Sequence, residues 1–235
     1  MDRGTLIGFL LGVGLLVLAI MLGPDPKIFL HKASLIVVVG GIIASTMIRF
    51  PLSYVRQALA VASRAFFTHP APPQEVVGML VGLSQRARRE GLVGLEKHLP
   101  DDVFLAQGLQ MVVDRVGRDY ISDVMNQELH ATQERHALGQ EIFRFIGLTA
   151  PSFGMVGTLI GMVQLFGSLS DPAGVAKGMA LSLLSTFYGA VIAYLFAVPI
   201  SGKLEHRSRE ELANKRLMLE GILGIAAEMN PGQLE

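Results

Sequence analysis

Apolar residues in this chain fall in long unbroken runs, not at alternating positions. A helix needs roughly 20 apolar residues to cross a bilayer, within a range of about 17–25. Thr5–Leu22 is free of charge, and so is the shorter Ala33–Ile48, with Arg49 placed to snorkel at its end. Phe145–Leu169 and Gly178–Ile200 complete the set. A backbone in lipid must satisfy its own hydrogen bonds, so these runs are predicted as helices and not as open strands. The first run is longer than the apolar part of a secretion signal (about 7–15 residues). Gly23-Pro24-Asp25-Pro26 follows it where a signal would carry a small-residue cleavage site, so a retained span is expected.

Between the second and third runs the pattern changes to apolar positions at helical spacing. Tyr54–Phe67 reads as one helix. His69-Pro70-Ala71-Pro72-Pro73 breaks the chain, and Gln74–Glu90 resumes it. Gly91 interrupts, and a short Leu92–His98 segment ends at Pro100. Asp101 or Asp102 can cap a helix carrying Val103, Leu105, Leu109, Val112, Val113 and Val116. The polar stretch Tyr120–Arg144 is predicted to run into the third span as one long helix. Lys203–Arg216 reads as a charged helix, a solvated amphipathic tail near the inner leaflet rather than a binding motif.

Charge then sets the expected orientation. The loop 23–32 holds Lys27 and Lys32, and 170–177 holds only Lys177. The middle segment and the tail hold most of the other basic residues, with Arg49, Arg56, Arg144 and Lys203 close to the spans. By the positive-inside rule, both termini and the middle segment face the cytoplasm. The expected class is an all-α polytopic membrane protein, with four transmembrane helices and a large helical cytoplasmic domain. Its parts are 1–50 (two spans), 51–144 (cytoplasmic), 145–200 (two spans) and 201–235 (C-terminal helix).

Composition narrows the chemistry. Apolar residues make up 51% of the 235 and charged residues 17%, with a formal net charge of zero. No basic surface for nucleic acid is indicated. There is no Cys, so disulfides and thiolate chemistry are excluded, and with no Trp any interfacial belt must use Tyr and Phe. His31, His69, His98, His130, His136 and His206 are scattered, with no spacing that converges on a metal. No Walker-type glycine loop and no Gly-x-Ser-x-Gly elbow is present, so no enzyme and no bound cofactor is expected.

No Asp, Glu, Lys, Arg or His lies within the four runs. Ionisable groups inside a membrane are costly and mark ion routes. If this chain conducts a cation, the carboxylate must come from another chain. The third and fourth runs carry small and hydroxyl residues at spacings of three and four: Gly154, Gly157, Thr158 and Gly161, then Ser182, Ser185, Thr186, Gly189 and Ala193. Such a stripe serves close helix packing, or offers hydroxyls to a neighbour. Pro151 and Pro199 free the carbonyls of Gly147 and Leu195 and favour kinks, either static or flexing as ions bind and leave.

The stretch Thr149-Ala150-Pro151-Ser152-Phe153-Gly154-Met155-Val156-Gly157-Thr158-Leu159-Ile160-Gly161 resembles the third span of the MotA/PomA flagellar stator family. Ser170-Asp171-Pro172 resembles its outer loop, and Leu184-Ser185-Thr186-Phe187-Tyr188-Gly189-Ala190 with Pro199 its fourth span. Arg88-Arg89-Glu90-Gly91-Leu92-Val93-Gly94-Leu95-Glu96 is similar to its cytoplasmic signature. The relatives ExbB and TolQ share the helix pair but usually have three spans. The resemblance implies a homopentamer around two single-span B subunits (MotB or PomB type), each bringing an ion-binding Asp. It implies the bacterial inner membrane, and torque delivered to the rotor protein FliG. Thr158 and Thr186 match ion-path positions, and both hydroxyls together resemble the sodium-driven type. A proton-driven stator, an ExbB/TolQ-like energiser and a structural scaffold stay open. Arg88, Arg89 and Glu96 match rotor-contacting charges. Gln85, Leu148 and His31 depart from acidic or polar residues that some relatives carry at these positions.

Overall fold

The computed structural model describes residues 3–67, 71–229 and 232. All regular elements among them are helical: α1 (Arg3–Met21), α2 (Lys32–Leu35), α3 (Gly41–Arg49), α4 (Leu52–Phe67), α5 (Pro73–Glu90), α6 (Val103–Val113), α7 (Arg118–Gly167), α8 (Pro172–Val191) and α9 (Val198–Ala226). A π-helical stretch, Ile36–Gly40, joins α2 to α3, and another, Ile192–Ala197, joins α8 to α9. His69 and Pro70 of the expected break, and most of 230–235, lie outside the described residues.

Four helical stretches are long and apolar enough to cross a membrane: Gly4–Met21, Pro26–Arg49, Arg118–Gly167 and Pro172–Ala226. Their starts follow from capping chemistry. Asp171 accepts from the amides of Ala173 (3.1 Å) and Gly174 (3.0 Å), with Pro172 in the first turn of α8. Asp25 does the same for a short 3₁₀ turn, Pro26–Phe29, at Lys27 N (3.0 Å). Of the two candidate aspartates, Asp102 caps α6, accepting from Leu105 N at 2.9 Å. That helix stops at Val113, so Val116 lies beyond it, after Arg115 turns left-handed (φ 56°). The long helix expected from Tyr120 onward is α7.

The chain folds as two compact units, Met1–His69 with Ala137–Glu205, and Pro70–His136 with His206–Glu235. The first contains the apolar helices. Val38, Ile42, Ala150 and Ala193 form one buried cluster in it, and Phe50, Ala58, Ala62, Ile142, Phe143 and Leu204 another. Gly41 is required there, because the ring of Phe153 lies against its backbone where a Cβ would stand. In the second unit Leu95, Leu105, Leu109, Ile121, Met125, Ile222 and Ile225 are buried at its centre.

One expectation is corrected. The segment Lys203–Arg216 is helical as expected, within α9, but it is not a solvated tail: Leu204, Ser208 and Asn214 are buried. Asn214 Nδ2 donates to the Ala71 carbonyl at 2.7 Å. The buried stripe of this helix is partly polar, so hydropathy concealed it, and hydrogen bonds offset the burial of those polar groups. Arg49, the last residue of α3, is also held by neighbours. It forms an ion pair with Glu141 (2.5 Å), and its guanidinium lies 4.8 Å from the ring centre of Phe145 and 5.2 Å from that of Phe50.

Candidate functional site: a hydroxyl pair between two apolar helices

α7 and α8 approach closely because glycines line their contact. A Cβ on Gly189 would stand 2.5 Å from the carbonyl oxygen of Ala150, and one on Gly178 would stand 2.7 Å from that of Gly161. Gly157 lies against the buried Ser185 side chain in the same way. The stripe of small residues therefore does pack helix on helix within the subunit. Ser182 and Ser185 satisfy their hydroxyls inward, Ser182 to the carbonyls of Thr158 (3.0 Å) and Gly178 (3.1 Å), Ser185 to that of Leu181 (2.7 Å).

The two threonines sit at the edge of that stripe, where it opens. Thr158 Oγ1 and Thr186 Oγ1 are 2.6 Å apart. Thr158 Oγ1 also lies 3.1 Å from the carbonyl oxygens of Gly154 and Ser182, and Thr186 Oγ1 lies 3.4 Å from that of Ser182. Each hydroxyl has one proton and two lone pairs. Two protons cannot serve this many acceptors at once, so oxygen lone pairs remain unused around the pair. Hydroxyl and carbonyl oxygens are the ligands that hard cations take in place of water. Thr158 is half-buried and Thr186 exposed, so the pair is reachable from outside the subunit.

Both prolines stand where the helix ladder is altered. Pro199 is the second residue after the π-helical stretch Ile192–Ala197. That stretch contains Leu195, the carbonyl Pro199 leaves without its usual partner. Pro151 lies inside α7, flanked by Thr149, whose hydroxyl donates to the Phe145 carbonyl (2.9 Å), and Ser152, which donates to that of Leu148 (3.0 Å). Back-bonding of this kind bends helices. The two irregular points meet: a Cβ on Gly147, four residues before Pro151, would stand 2.9 Å from the side chain of Val198.

Tyr188 was not singled out by the sequence reading. Its hydroxyl donates to the Phe29 carbonyl and accepts from His31 N at 3.1 Å, which ties α8 to the turn before α2. His31 Nδ1 in turn accepts from Ser34 N (3.3 Å) and caps α2. A Tyr in an apolar run must find a partner for its hydroxyl, and that was the available signal.

Arg88, Arg89 and Glu96 belong to the second unit and all three are exposed. Arg88 and Arg89 end α5, and Glu96 lies in the 3₁₀ turn Leu92–His98. Gly91 turns the chain between them at φ 76°, a conformation that favours glycine. Arg88 reaches the Glu228 carbonyl at 3.5 Å. Among the described residues Arg89 and Glu96 have no hydrogen-bond or ion-pair partner.

These features define a polytopic, all-helical membrane protein in which the glycine-packed seam of two helices presents hydroxyl and carbonyl oxygens. Residues 96–216 match the MotA/TolQ/ExbB proton channel family, and the chain belongs to it. It is 32% identical to chemotaxis protein PomA of Vibrio alginolyticus, over 98% of this chain and 91% of that protein. It is 32% identical to motility protein A of Treponema pallidum, over 98% and 90%. The C. jejuni MotAB structure superposes with a TM-score of 0.89 at 26% identity, covering 100% of this chain and 93% of the other. The flagellar MotAB stator complex of Bacillus subtilis gives 0.88 at 27%, with the same coverage.

Proposed function

We propose that this chain is the A-type ring subunit of a flagellar motor stator, coupling inward sodium flow to torque. The carrying observation is the hydroxyl pair of Thr158 and Thr186, 2.6 Å apart between the apolar runs 145–169 and 178–200, which hold no carboxylate of their own. Five copies surround a dimer of B-type (MotB- or PomB-like) subunits, each of which brings an Asp to the ring. The likeness to the C. jejuni and Bacillus subtilis MotAB structures supports such a partner.

Sodium entering beside the borrowed Asp exchanges part of its water shell for the threonine hydroxyls and the Ser182 carbonyl, because a hard cation takes oxygen ligands. Two B helices cannot meet five equivalent subunits alike, so loading one Asp at a time turns the ring stepwise. Pro151 and Pro199 let α7 and α8–α9 flex during the step. Arg88, Arg89 and Glu96 engage FliG, with both chain termini and the second unit on the cytoplasmic side of the inner membrane. Paired exposed charges of both signs suit electrostatic steering of a complementary surface.

A second reading, proton coupling, is favoured by the family's description as a proton channel. Swimming speed measured against sodium concentration at fixed proton-motive force separates the two. Speed that rises with sodium supports the proposal; speed that ignores sodium and follows pH assigns proton coupling instead.

A further inference from the structure

We propose that the groove lined by Arg49, Gln140, Glu141, Arg144, Phe145 and Leu148 binds the phosphate of an anionic phospholipid. The groove is about 360 Å³ and open to the outside of the subunit. It lies where the apolar runs begin: Arg49 is the last residue of α3, and Arg144 directly precedes the charge-free run that starts at Phe145.

The two guanidiniums are not equivalent. Arg49 is held by Glu141 at 2.5 Å and by the rings of Phe145 and Phe50. Arg144 is exposed and has no hydrogen-bond or ion-pair partner among the described residues. The groove therefore carries two positive charges against one negative, with the free one at its lip. Gln140 adds an amide donor.

A guanidinium fork matches two phosphate oxygens at once, and basic pockets between membrane helices take lipid head groups. Phe145 and Leu148 give the groove apolar lining beside its charged groups. Leu148, one helical turn beyond Arg144, is 68% exposed, and Met155 continues the same face at 62%. A soluble anion has no use for that surface, whereas acyl chains do. The proposal rests on the four apolar helices and not on the torque reading.

The test uses the intact complex, purified in detergent and titrated with phosphatidylglycerol or phosphatidylcholine, with retained lipid counted by native mass spectrometry. Wild type should retain phosphatidylglycerol in preference. Arg144→Gln should lower that retention about fivefold, the worth of one basic residue near an anionic surface. Arg144→Lys should recover part of it, and phosphatidylcholine should be unaffected. Lys27→Gln, which lies outside the groove, should change nothing. Glu141→Gln, which removes the groove's carboxylate, should raise retention, and it tests the idea even if Arg144→Gln fails to assemble.

Equal retention of the two lipids, or an Arg144→Gln complex that keeps its preference, would overturn the proposal. Displacement of the lipid by millimolar inorganic phosphate would overturn it too, by assigning a free-anion site. An Arg144→Gln complex that falls apart in both lipids, with Glu141→Gln leaving retention unchanged, would assign the groove to subunit packing.

Discussion

Thr158 Oγ1 stands 2.6 Å from Thr186 Oγ1, and both share the Ser182 carbonyl as a neighbour. Removing one hydroxyl takes away a proposed cation ligand without opening the glycine-packed seam beside it. Thr158→Ala is expected to lower sodium-driven torque at limiting sodium by roughly tenfold, the scale of one lost polar contact. Thr158→Ser should keep most of it. Swimming speed against sodium, with the amount of assembled complex measured in parallel, checks this. Loss of the purified complex in Thr158→Ala would point to packing.

The seam itself responds differently. Gly189→Ala would place a methyl group 2.5 Å from the Ala150 carbonyl oxygen and 3.2 Å from Gly154 Cα, both backbone atoms that cannot swing aside. Overpacking of this sort costs about 1–3 kcal/mol. Gly78→Ala, on the exposed part of α5 with nothing near the added Cβ, should instead stabilise by about 0.5–1 kcal/mol through helix propensity. Thermal unfolding of the detergent-solubilised complex should move in opposite directions for the two variants.

Most of this architecture is legible in residue patterning because lipid imposes such strict rules. Charge-free runs marked the four apolar helices, and spacings of three and four placed Thr158, Ser182 and Thr186 on facing stripes. What hydropathy could not separate was which stripe residues pack and which stay reachable. Ser182 and Ser185 turn inward to backbone carbonyls, while Thr186 remains exposed, and that division depends on how the two helices rotate against each other. The α9 segment misled for a related reason. Ser208 and Asn214 are buried, yet they read as surface residues until their partners, His136 and the Ala71 carbonyl, are known. Both partners are distant in sequence, so no local pattern announces them.

The exposed charges should be separable from conduction. Arg88→Glu or Glu96→Lys alters the surface beside Gly91 in the second unit and leaves the Thr158–Thr186 pair untouched. Rotation is expected to fall severalfold while sodium uptake persists. Exposed pairs are screened by salt, so the proposed rotor contact of the wild type should also weaken as ionic strength rises. Tethered-cell rotation together with sodium flux in vesicles reads both. Lost flux in either variant would contradict a rotor role.

His136 links pH to the second unit. Its Nδ1 lies 3.0 Å from Ser208 Oγ, joining α7 to α9, and its Nε2 lies 3.8 Å from a carboxylate oxygen of Glu211. Burial lowers the His136 pKa below its ordinary 6.5; Glu211 opposes that, and Lys215 and Arg135 add to it. The folded state thus prefers the neutral ring, and the unfolded state takes up the proton first. Stability from this group is full above about pH 6.5 and declines as the pH falls through the lowered value. Protonation would also put hydrogens on both ring nitrogens, so Nδ1 would have to donate to Ser208 Oγ, and the ring's charge would have to be held in a half-buried place. Hydrogen exchange of the amides around His136 and Ser208 in the intact complex should therefore speed up below pH 6 after correction for intrinsic exchange. His136→Gln keeps a polar side chain at the position but cannot titrate, and its corrected exchange should be flat across the same range. A wild-type profile as flat as the variant's would remove His136 as the source of acid sensitivity.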